Sequence, residues 1–353
     1  MKGMIYFDNA ASTKPRPEAV SAMNAVLSES YANPNALHKG GIEAEKIIAS
    51  SRETLLSLMP KGGDLIFTSG ATESNNLAVM GSVKKRGGNK IITTAFEHPG
   101  VSGVIGALGS GFDVVRVSPK DNIADFVDEN TVLVSVTAVC SETGFIVGVE
   151  RLYKEIKGRF PDCVIHTDGA QGFLKTPLDG DLISVSAHKI GGVAGVGGLF
   201  IKRGVRVIPQ IFGGGQQKGL RPGTEPTALI AAFAKAAEAA EPLGAKLQKR
   251  LKDGLNRLGG MKINSYNNID NILNFSCGVK SEVMLRFLAE RDIYVSGGSA
   301  CSRGKRSKIL PAFGVSGRDI DSAVRVSFGW QNVAGEVDAF LEALEAGVKR
   351  FGT

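Results

Sequence analysis

Between residues 64 and 203, short apolar runs alternate with segments of helical periodicity, and this alternation constrains the fold more than any other feature of the sequence. Strands are predicted at residues 65–68, 90–94, 114–117, 132–136, 164–167, 182–185 and 198–201. Helical segments such as 74–85 and 149–159 lie between them. Continuous apolar strands separated by helices are typical of a mostly parallel sheet that is covered on both faces. The sequence therefore predicts an α/β fold.

Beyond residue 226 the pattern changes. An alanine-rich stretch from 227 to about 258 predicts one long helix. Strands predicted at 272–275, 294–295 and 324–328 then alternate with helices near 282–291 and 336–350, which indicates a smaller α+β domain. We expect a large domain over residues 13–253 and a small domain formed by 1–12 and 254–353; the chain has 353 residues, enough for both.

Charge and cysteine content exclude several classes of protein. The net charge is +7, but lysine and arginine are scattered and no nucleic-acid-binding motif accompanies them, so we expect a solvated basic surface and no nucleic-acid partner. The four cysteines are too sparse for a disulfide framework, and the absence of a C-x-x-C pair argues against a zinc or iron–sulfur site within one chain. There is no signal-like start and no apolar stretch of bilayer length, so we expect a cytoplasmic enzyme without membrane association.

Two common nucleotide-binding motifs are missing, and short polar motifs follow the strands instead. No G-x-G-x-x-G follows a strand and no G-x-x-x-x-G-K-[ST] occurs, which argues against Rossmann and P-loop sites. Ser186-Ala187-His188-Lys189 directly follows the strand at 182–185. A lysine whose pKa is lowered forms a Schiff base with a carbonyl cofactor, and Ser186 and His188 could donate to a phosphate. The alternative for Lys189 is a solvated surface charge.

Two further motifs point to pyridoxal 5'-phosphate (PLP). Asp168 ends the strand at 164–167, and PLP needs a carboxylate against its pyridinium nitrogen because a protonated ring is the better electron sink. Gln171, three residues later, could donate to the ring phenolate oxygen; the alternative for this motif is an Asx turn. Residues 68–76 run from a strand into a helix, whose free N–H groups would bind a phosphate or be capped by Thr72 or Ser74.

The ordered motifs resemble the cysteine desulfurase branch of the class V aminotransferases, which are PLP-dependent enzymes of fold type I, and the resemblance runs nearly end to end. It rests on YFDNAAST at 6–13, Asn33-Pro34 with His38, GATESNN at 70–76, EH at 97–98, HTDGAQ at 166–171, SAHK at 186–189, GGGQ at 213–216, RPGTE at 221–225, SGGSAC at 296–301 and VRVS at 324–327.

The resemblance implies a fold type I PLP-dependent transferase and a role for each matching residue. Lys189 would carry the cofactor, with His98 stacked on its ring and active in proton transfer. The phosphate would be held by Ala71, Thr72, Ser186 and His188, and by Thr224 of a partner subunit, which implies a homodimer with shared active sites. Asp168, Gln171 and Ser141 would contact the ring. Arg325 and Asn33 would bind the substrate, Arg325 through the carboxylate.

Cys301 is the expected sulfur-accepting nucleophile. It lies among small polar residues, and Arg303, Lys305 and Arg306 would lower its pKa and favour the thiolate. The alternative is a buried small hydrophobe, which is the commoner fate of a lone cysteine. By the resemblance, the enzyme would convert L-cysteine to L-alanine and leave the sulfur on Cys301 as a persulfide. We interpret Cys140, Cys163 and Cys277 as structural.

The sequence departs from the family in one motif. The family usually has two asparagines before Glu-x-Gly, and the second contacts the cofactor; here the segment reads Cys140-Ser141-Glu142-Thr143-Gly144. Ser141 matches the contacting residue and is shorter than asparagine. We therefore expect one weakened cofactor contact.

Other functions stay open at this level. Within the same fold, the protein could be a selenocysteine lyase or an aminotransferase acting on another amino acid. In a different class, it could be a PLP-binding sulfur-delivery or scaffold protein with little turnover. The sulfur acceptor could be an iron–sulfur cluster scaffold, a tRNA-thiolation enzyme or another carrier.

Overall fold

The computed structural model describes residues 3–83, 87–297 and 306–352 and divides the chain into two compact units. The large unit comprises Pro15–Ala138 and Val147–Ala240. The small unit comprises Met1–Lys14, Val139–Ile146 and Glu241–Thr353. The domain limits expected from the sequence, 13–253 against 1–12 and 254–353, stay a prediction.

Strands and helices alternate along most of the large unit. In chain order, the elements of both units are β1 (Ile5–Tyr6), α1 (Pro17–Glu29), α2 (Lys39–Ser57), β2 (Gly63–Thr68), α3 (Ala71–Ser82), β3 (Lys90–Thr94), α4 (Pro99–Ala107), β4 (Asp113–Val117), β5 (Thr131–Thr137), α5 (Val149–Arg159), β6 (Val164–Asp168), β7 (Leu182–Ser186), β8 (Gly197–Lys202), α6 (Thr227–Glu238), α7 (Ala245–Leu258), β9 (Lys262–Ile263), β10 (Ile272–Ser276), α8 (Ser281–Ala289), β11 (Ile293–Tyr294), α9 (Gly317–Asp321), β12 (Ala323–Ser327) and α10 (Ala334–Phe351).

In the described part of the large unit, seven strands form one sheet in the order β2-β8-β7-β6-β5-β3-β4. Neighbouring strands are parallel except where β8 pairs antiparallel with β2 and β7. Each strand of this sheet overlaps a predicted strand and extends it by at most two residues at an end. The mostly parallel sheet confirms the predicted fold class.

The sheet is apolar on both faces because successive side chains point to opposite sides. Leu65 and Phe67 of β2 pack with residues of α1, α2 and α6, whereas Ile66 between them packs with residues of α3 and α4. The same alternation separates Ile183 from Leu182 in β7. Helices therefore cover both faces, and the polar residues that follow the strands gather at the carboxyl edge of the sheet.

The single helix predicted over residues 227–258 is wrong. The chain forms α6 and α7, which are separated by residues 239–244. Pro242 lies in the break and cannot donate a backbone hydrogen bond. Gly244 adopts a φ of +102°, and a Cβ there would lie 2.5 Å from the Asp270 carbonyl oxygen, so only glycine fits this close approach.

The small unit contains a three-stranded antiparallel sheet in the order β12-β10-β9, together with the parallel pair β1-β11. Its core is aromatic: the Phe7 ring meets the rings of Phe328 and Phe340 edge to face, with centroids 5.4 and 5.9 Å apart. The N-terminal segment is held by a bridge between Asp8 and Ser327. The short β1 thereby brings Asp8 beside β12.

Candidate functional site

Lys189 lies at the carboxyl end of β7, where the sequence predicts it. One turn of 3₁₀ helix, Ala187–Lys189, follows the strand directly, and the Lys189 side chain is half-buried. The charge of Lys189 lowers the pKa values of His98, His188 and Lys175, an effect that requires these groups to be close to it. The structure therefore brings Lys189 and the two predicted histidines together.

Asp168 ends the neighbouring strand β6 and is 3% exposed. Its Oδ2 accepts a hydrogen bond from Asn75 Nδ2 at 3.0 Å, and its Oδ1 accepts one from the Ala170 backbone N–H at 3.0 Å. Both donors are neutral, so they orient the carboxylate without neutralising its charge. A buried carboxylate in this state is suited to bind a protonated ring nitrogen.

Asn75 belongs to the GATESNN motif, but no role in the site is predicted for it from the sequence. It lies one turn into α3 and is 1% exposed, and its Oδ1 has no hydrogen-bond partner among the described residues. The GATESNN motif thus supplies the orienting donor for Asp168 as well as a helix start. Its position in the motif was the available signal.

The start of α3 is a suitable phosphate site. Gly70 precedes the helix and no side chain of the described residues caps it, which leaves the N–H groups at Ala71 and Thr72 for another partner. A Cβ built on Gly70 would lie 3.8 Å from Ser186 Oγ. A Cβ built on Gly100 would lie 3.2 Å from Thr72 Oγ1 and 3.1 Å from His98 Nδ1. The predicted phosphate residues Ala71, Thr72 and Ser186 therefore lie near one another, with His98 close to Thr72.

His98 caps α4, and this contact defines its tautomer. Its Nδ1 accepts a hydrogen bond from the Gly100 backbone N–H at 3.0 Å, so the neutral ring carries its proton on Nε2. Burial lowers the pKa of His98; the charge of Lys189 lowers it further, whereas Asp168 opposes the shift. Burial likewise lowers the pKa of His188 to about 4, with Lys189, Lys175 and His98 acting in the same direction. Both imidazoles are therefore neutral near pH 7.

Glu97 fixes the loop that carries His98. Its Oε1 accepts hydrogen bonds from Thr94 Oγ1 at 2.5 Å and from the Thr137 backbone N–H at 2.9 Å, which ties the ends of β3 and β5 to the loop. Its Oε2 has no partner among the described residues. Burial, with a contribution from Asp168, raises the pKa of Glu97 to about 8. The side chain is therefore mostly a neutral acid at pH 7.

A second buried group lies beneath Asp168 on β6. His166 contacts Ser135 Oγ through Nδ1 at 2.8 Å and Ser184 Oγ through Nε2 at 3.0 Å, and so links β5, β6 and β7. Burial lowers the pKa of His166 to about 4 despite the opposing charge of Asp168. The neutral ring binds three strands together directly below the site carboxylate.

Gln171 lies in the turn after β6 and is 4% exposed. Its Oε1 accepts a hydrogen bond from Lys175 Nζ at 3.3 Å. Sequence reasoning gave Lys175 no role, because nothing in the local pattern distinguishes it from a surface lysine. The contact determines how the Gln171 amide is turned.

Asn33 and Thr224 lie together in another part of the large unit. They line a cavity of about 340 Å³, which is walled mainly by apolar side chains of α1 and of residues 226–229. The exposed Leu27 and Tyr31 border it. The assignment of Thr224 to a partner subunit's phosphate stays a prediction, as does the substrate contact of Asn33.

In the small unit, Arg325 is fully buried on β12. Its guanidinium donates to Asp8 Oδ1 at 2.6 Å and to the Ser141 carbonyl oxygen at 2.9 Å, while its Nε has no partner among the described residues. The structure thus places Ser141 beside Arg325 through its backbone. Sequence reasoning missed the pairing with Asp8, since 317 positions separate the two residues.

Cys301 lies outside the described residues, so its predicted role stays a prediction. The segments that flank it are anchored within the small unit. Ser296 pairs with Arg325 through backbone hydrogen bonds, and Ser307 Oγ donates to Glu142 Oε2 at 2.5 Å. Cys140, Cys163 and Cys277 are buried free thiols, and burial raises the pKa of Cys140 to about 11. A pKa this high leaves Cys140 protonated and unreactive near neutrality.

The large-unit site fits PLP. It offers a buried, oriented carboxylate in Asp168, an uncapped helix start for a phosphate and a half-buried lysine beside neutral histidines. Within the described ranges, no group of three or more histidine, cysteine, aspartate or glutamate side chains could hold a metal ion. Nor does any described helix combine the length and apolarity that crossing a membrane requires.

Comparison with known proteins gives the same family from sequence and from structure. The family model for class-V aminotransferases matches residues 5–340. A NifS/IcsS protein homologue of Lactobacillus delbrueckii subsp. bulgaricus is 36% identical, and the match covers 97% of this chain and 96% of the homologue. Cysteine desulfurase IscS 1 of Archaeoglobus fulgidus is 33% identical, and the match covers 98% of this chain and 97% of that protein. A solved NifS-like protein superposes with a TM-score of 0.90 at 32% identity, covering 99% of this chain and all of the other.

These matches span nearly the whole chain and agree with the Lys189 and Asp168 geometry of the large unit. They confirm the predicted family, the fold type and the cofactor. The chain belongs to the class-V aminotransferase family, in its cysteine desulfurase branch, and its cofactor is PLP.

Proposed function

We propose that this protein is a cysteine desulfurase that converts L-cysteine to L-alanine and transfers the sulfur to Cys301 as a persulfide. The observation that carries the proposal is the arrangement at the carboxyl edge of the large sheet, where Lys189 follows β7 and Asp168 is held by Asn75 at the end of β6. The relatives named as cysteine desulfurases match the chain along nearly its full length and support the same activity.

When bound, PLP supplies an electron sink that stabilises negative charge at the substrate Cα. Lys189 would hold the cofactor, and its amine, once released by the substrate's amino group, would take the Cα proton. Asp168 would keep the ring nitrogen protonated. His98, neutral with its proton on Nε2, would stack on the ring and assist protonation through that hydrogen.

Arg325 would bind the substrate carboxylate, because a guanidinium forms strong charge-assisted hydrogen bonds to carboxylates. Two of its edges are already occupied by Asp8 and the Ser141 carbonyl, which hold its plane fixed. A guanidinium held in this way loses little conformational freedom when a carboxylate arrives.

Sulfur transfer would use the Cys301 thiolate. Its sulfur attacks the substrate sulfur, so that an S–S bond forms as the Cβ–S bond breaks. The carbon keeps the electron pair of the broken bond and takes up a proton, which yields alanine. The outer sulfur of the persulfide then passes from Cys301 to an acceptor protein. Given the family, we propose that the acceptor is a carrier in iron–sulfur cluster assembly.

We also propose a homodimer with shared active sites. The apolar cavity beside Leu27 and Tyr31 supports it, because Thr224, the residue expected to reach a partner's phosphate, lines that surface. A cytoplasmic location fits four sparse cysteines, three of which are buried free thiols.

The test is the product balance of the purified holoenzyme. With L-cysteine and a thiol reductant, we expect alanine and sulfide in equal amounts, and neither from Lys189→Ala. Turnover of selenocysteine but not cysteine would favour the lyase, and a keto acid in place of alanine would favour an aminotransferase. Either result would refute the proposal, as would the absence of product from a PLP-loaded wild-type enzyme.

A further inference from the structure

Lys175 and Gln171 form a contact in the turn that follows Asp168. Lys175 Nζ lies 3.3 Å from Gln171 Oε1, and Gln171 is 4% exposed. The residues between them form consecutive turns, in which the Phe173 N–H donates to the Gly169 carbonyl and the Lys175 N–H to the Gly172 carbonyl. The backbone therefore brings the two side chains to one side of the loop.

The contact selects one orientation of the Gln171 amide. An amide has an accepting oxygen and a donating NH₂ group, and the two ends are nearly equal in shape. A lysine ammonium has only donors, so it pairs with Oε1 and turns Nε2 to the opposite edge. Without such a partner, the amide could present either end to a neighbouring group.

We propose that Lys175 is a positioning residue, which holds the Gln171 amide so that its NH₂ group donates to the phenolate oxygen of PLP. The proposal rests on the cofactor contact assigned to Gln171 above. A phenolate oxygen is an acceptor, so it is stabilised by Nε2 and repelled by Oε1. Lys175 thereby acts on the cofactor through Gln171.

The backbone around Lys175 is held in an unusual conformation. Leu174 has a φ of +62°, a left-handed value that a leucine rarely adopts, and its side chain packs against the core of the large unit. A Cβ on Gly172 would lie 2.9 Å from Ala138 Cβ, so the loop is closely packed on the end of β5. Strained backbone of this kind persists where the surrounding packing enforces it and is common at functional sites. Here it precedes Lys175 directly.

The charges around Lys175 also bear on its role. Burial and, to a smaller extent, the charge of Lys189 together lower the pKa of Lys175 to about 7. Lys175 in turn contributes to the lowered pKa of His188. The phosphate and phenolate of a bound cofactor are anionic and therefore favour the ammonium form of Lys175. In that form Lys175 can pair only with Oε1 of Gln171 and not with Nε2.

The test is the pKa of the Schiff base between Lys189 and PLP, read from the visible absorption of the holoenzyme during a pH titration. A donor to the phenolate lowers this pKa. We expect Lys175→Met to raise it by about one unit, the size of one lost hydrogen bond. Lys175→Arg keeps the donor and should leave it within about 0.3 units of wild type.

A double-mutant cycle separates positioning from the direct effect of the lysine charge. If Lys175 acts through Gln171, then Lys175→Met has little effect in a Gln171→Leu background. Equal shifts in both backgrounds would overturn the proposal. If Lys175→Met gives no folded holoenzyme, the cycle is run with Lys175→Gln, whose amide has both a donating and an accepting end and so orients Gln171 less strictly: a raised pKa that is lost in the Gln171→Leu background supports the proposal, and equal shifts in both backgrounds overturn it.

Failure of this inference is distinguishable from failure of the proposed function. A wild-type protein without Schiff-base absorption would overturn both. Normal absorption and turnover, with an unshifted pKa in Lys175→Met, would overturn only the role of Lys175.

Discussion

Replacing Glu97 by glutamine should stabilise the protein increasingly as the pH rises. Glutamine keeps Oε1, which accepts the hydrogen bonds from Thr94 and Thr137, and changes only Oε2, for which the described part of the chain offers no partner. The pKa of Glu97 rises from 4.5 to about 8 on folding because the carboxyl is buried. The folded state thus binds this proton more tightly than the unfolded state does, so wild-type stability falls as pH rises from 4.5 to about 8.

The magnitude follows from the size of the shift. The difference, 8 − 4.5, is 3.5 units, and one unit corresponds to about 1.4 kcal/mol. The free energy of unfolding of Glu97→Gln should therefore exceed that of wild type by up to roughly 5 kcal/mol at pH 8, with a slope of about 1.4 kcal/mol per pH unit below it. Near pH 4.5 the two proteins should be equally stable.

The assay is urea unfolding of both holoenzymes at a series of pH values, with fixed protein and excess PLP. Glu18→Gln, the same exchange at an exposed position of α1, is the matched control. A flat difference for Glu97→Gln would refute the reasoning, since it would mean that Glu97 titrates alike in the folded and unfolded states. Glu97→Leu removes the acceptor as well as the titrating carboxyl, so its stability relative to wild type should rise with the same slope but be offset downward by about 1–3 kcal/mol per orphaned donor.

Three further predictions concern the reacting groups. Lys189→Ala should abolish the Schiff-base absorption of the purified protein, and an unchanged visible spectrum would refute the assignment. Arg325→Ala should raise the KM for L-cysteine roughly tenfold or more, as expected for a lost charge-assisted hydrogen bond, and lower the Tm because Asp8 loses its partner; an unaltered KM would assign the carboxylate to another residue. Ser141→Asn should lower the Schiff-base pKa, whereas Ser141→Ala should change it less than Gln171→Ala does; equal shifts in the two alanine variants would show that Ser141 reaches the ring.

The sheet could be predicted from the sequence because burial on both faces requires continuous apolar strands. Those runs also predict where the site lies, since the polar residues that follow parallel strands meet at one edge. Asp168 and Lys189 are predicted as site residues in this way, and the structure places both at that edge. The break between α6 and α7 does not follow from the alanine-rich pattern that predicts one helix, because it is produced by two single residues, Pro242 and Gly244.

The supporting contacts of the site could not be predicted from the sequence. Asn75 and Asp168 are 93 positions apart, and Asp8 and Arg325 are 317 apart, so no local pattern encodes either pair. The neutral state of Glu97 depends on burial, which only the folded structure defines. The left-handed φ of Leu174 is likewise imposed by packing rather than by the residue type.

The central claim is that L-cysteine sulfur is transferred to Cys301. The most direct test is a single turnover of the PLP-loaded enzyme with L-cysteine and no reductant, followed by peptide mass analysis and alanine quantification. We predict one added sulfur atom on the peptide that contains Cys301, matched by one alanine per active site. Sulfur on Cys140, Cys163 or Cys277, or alanine formed at the same rate by Cys301→Ser with no persulfide on any cysteine, would contradict the account.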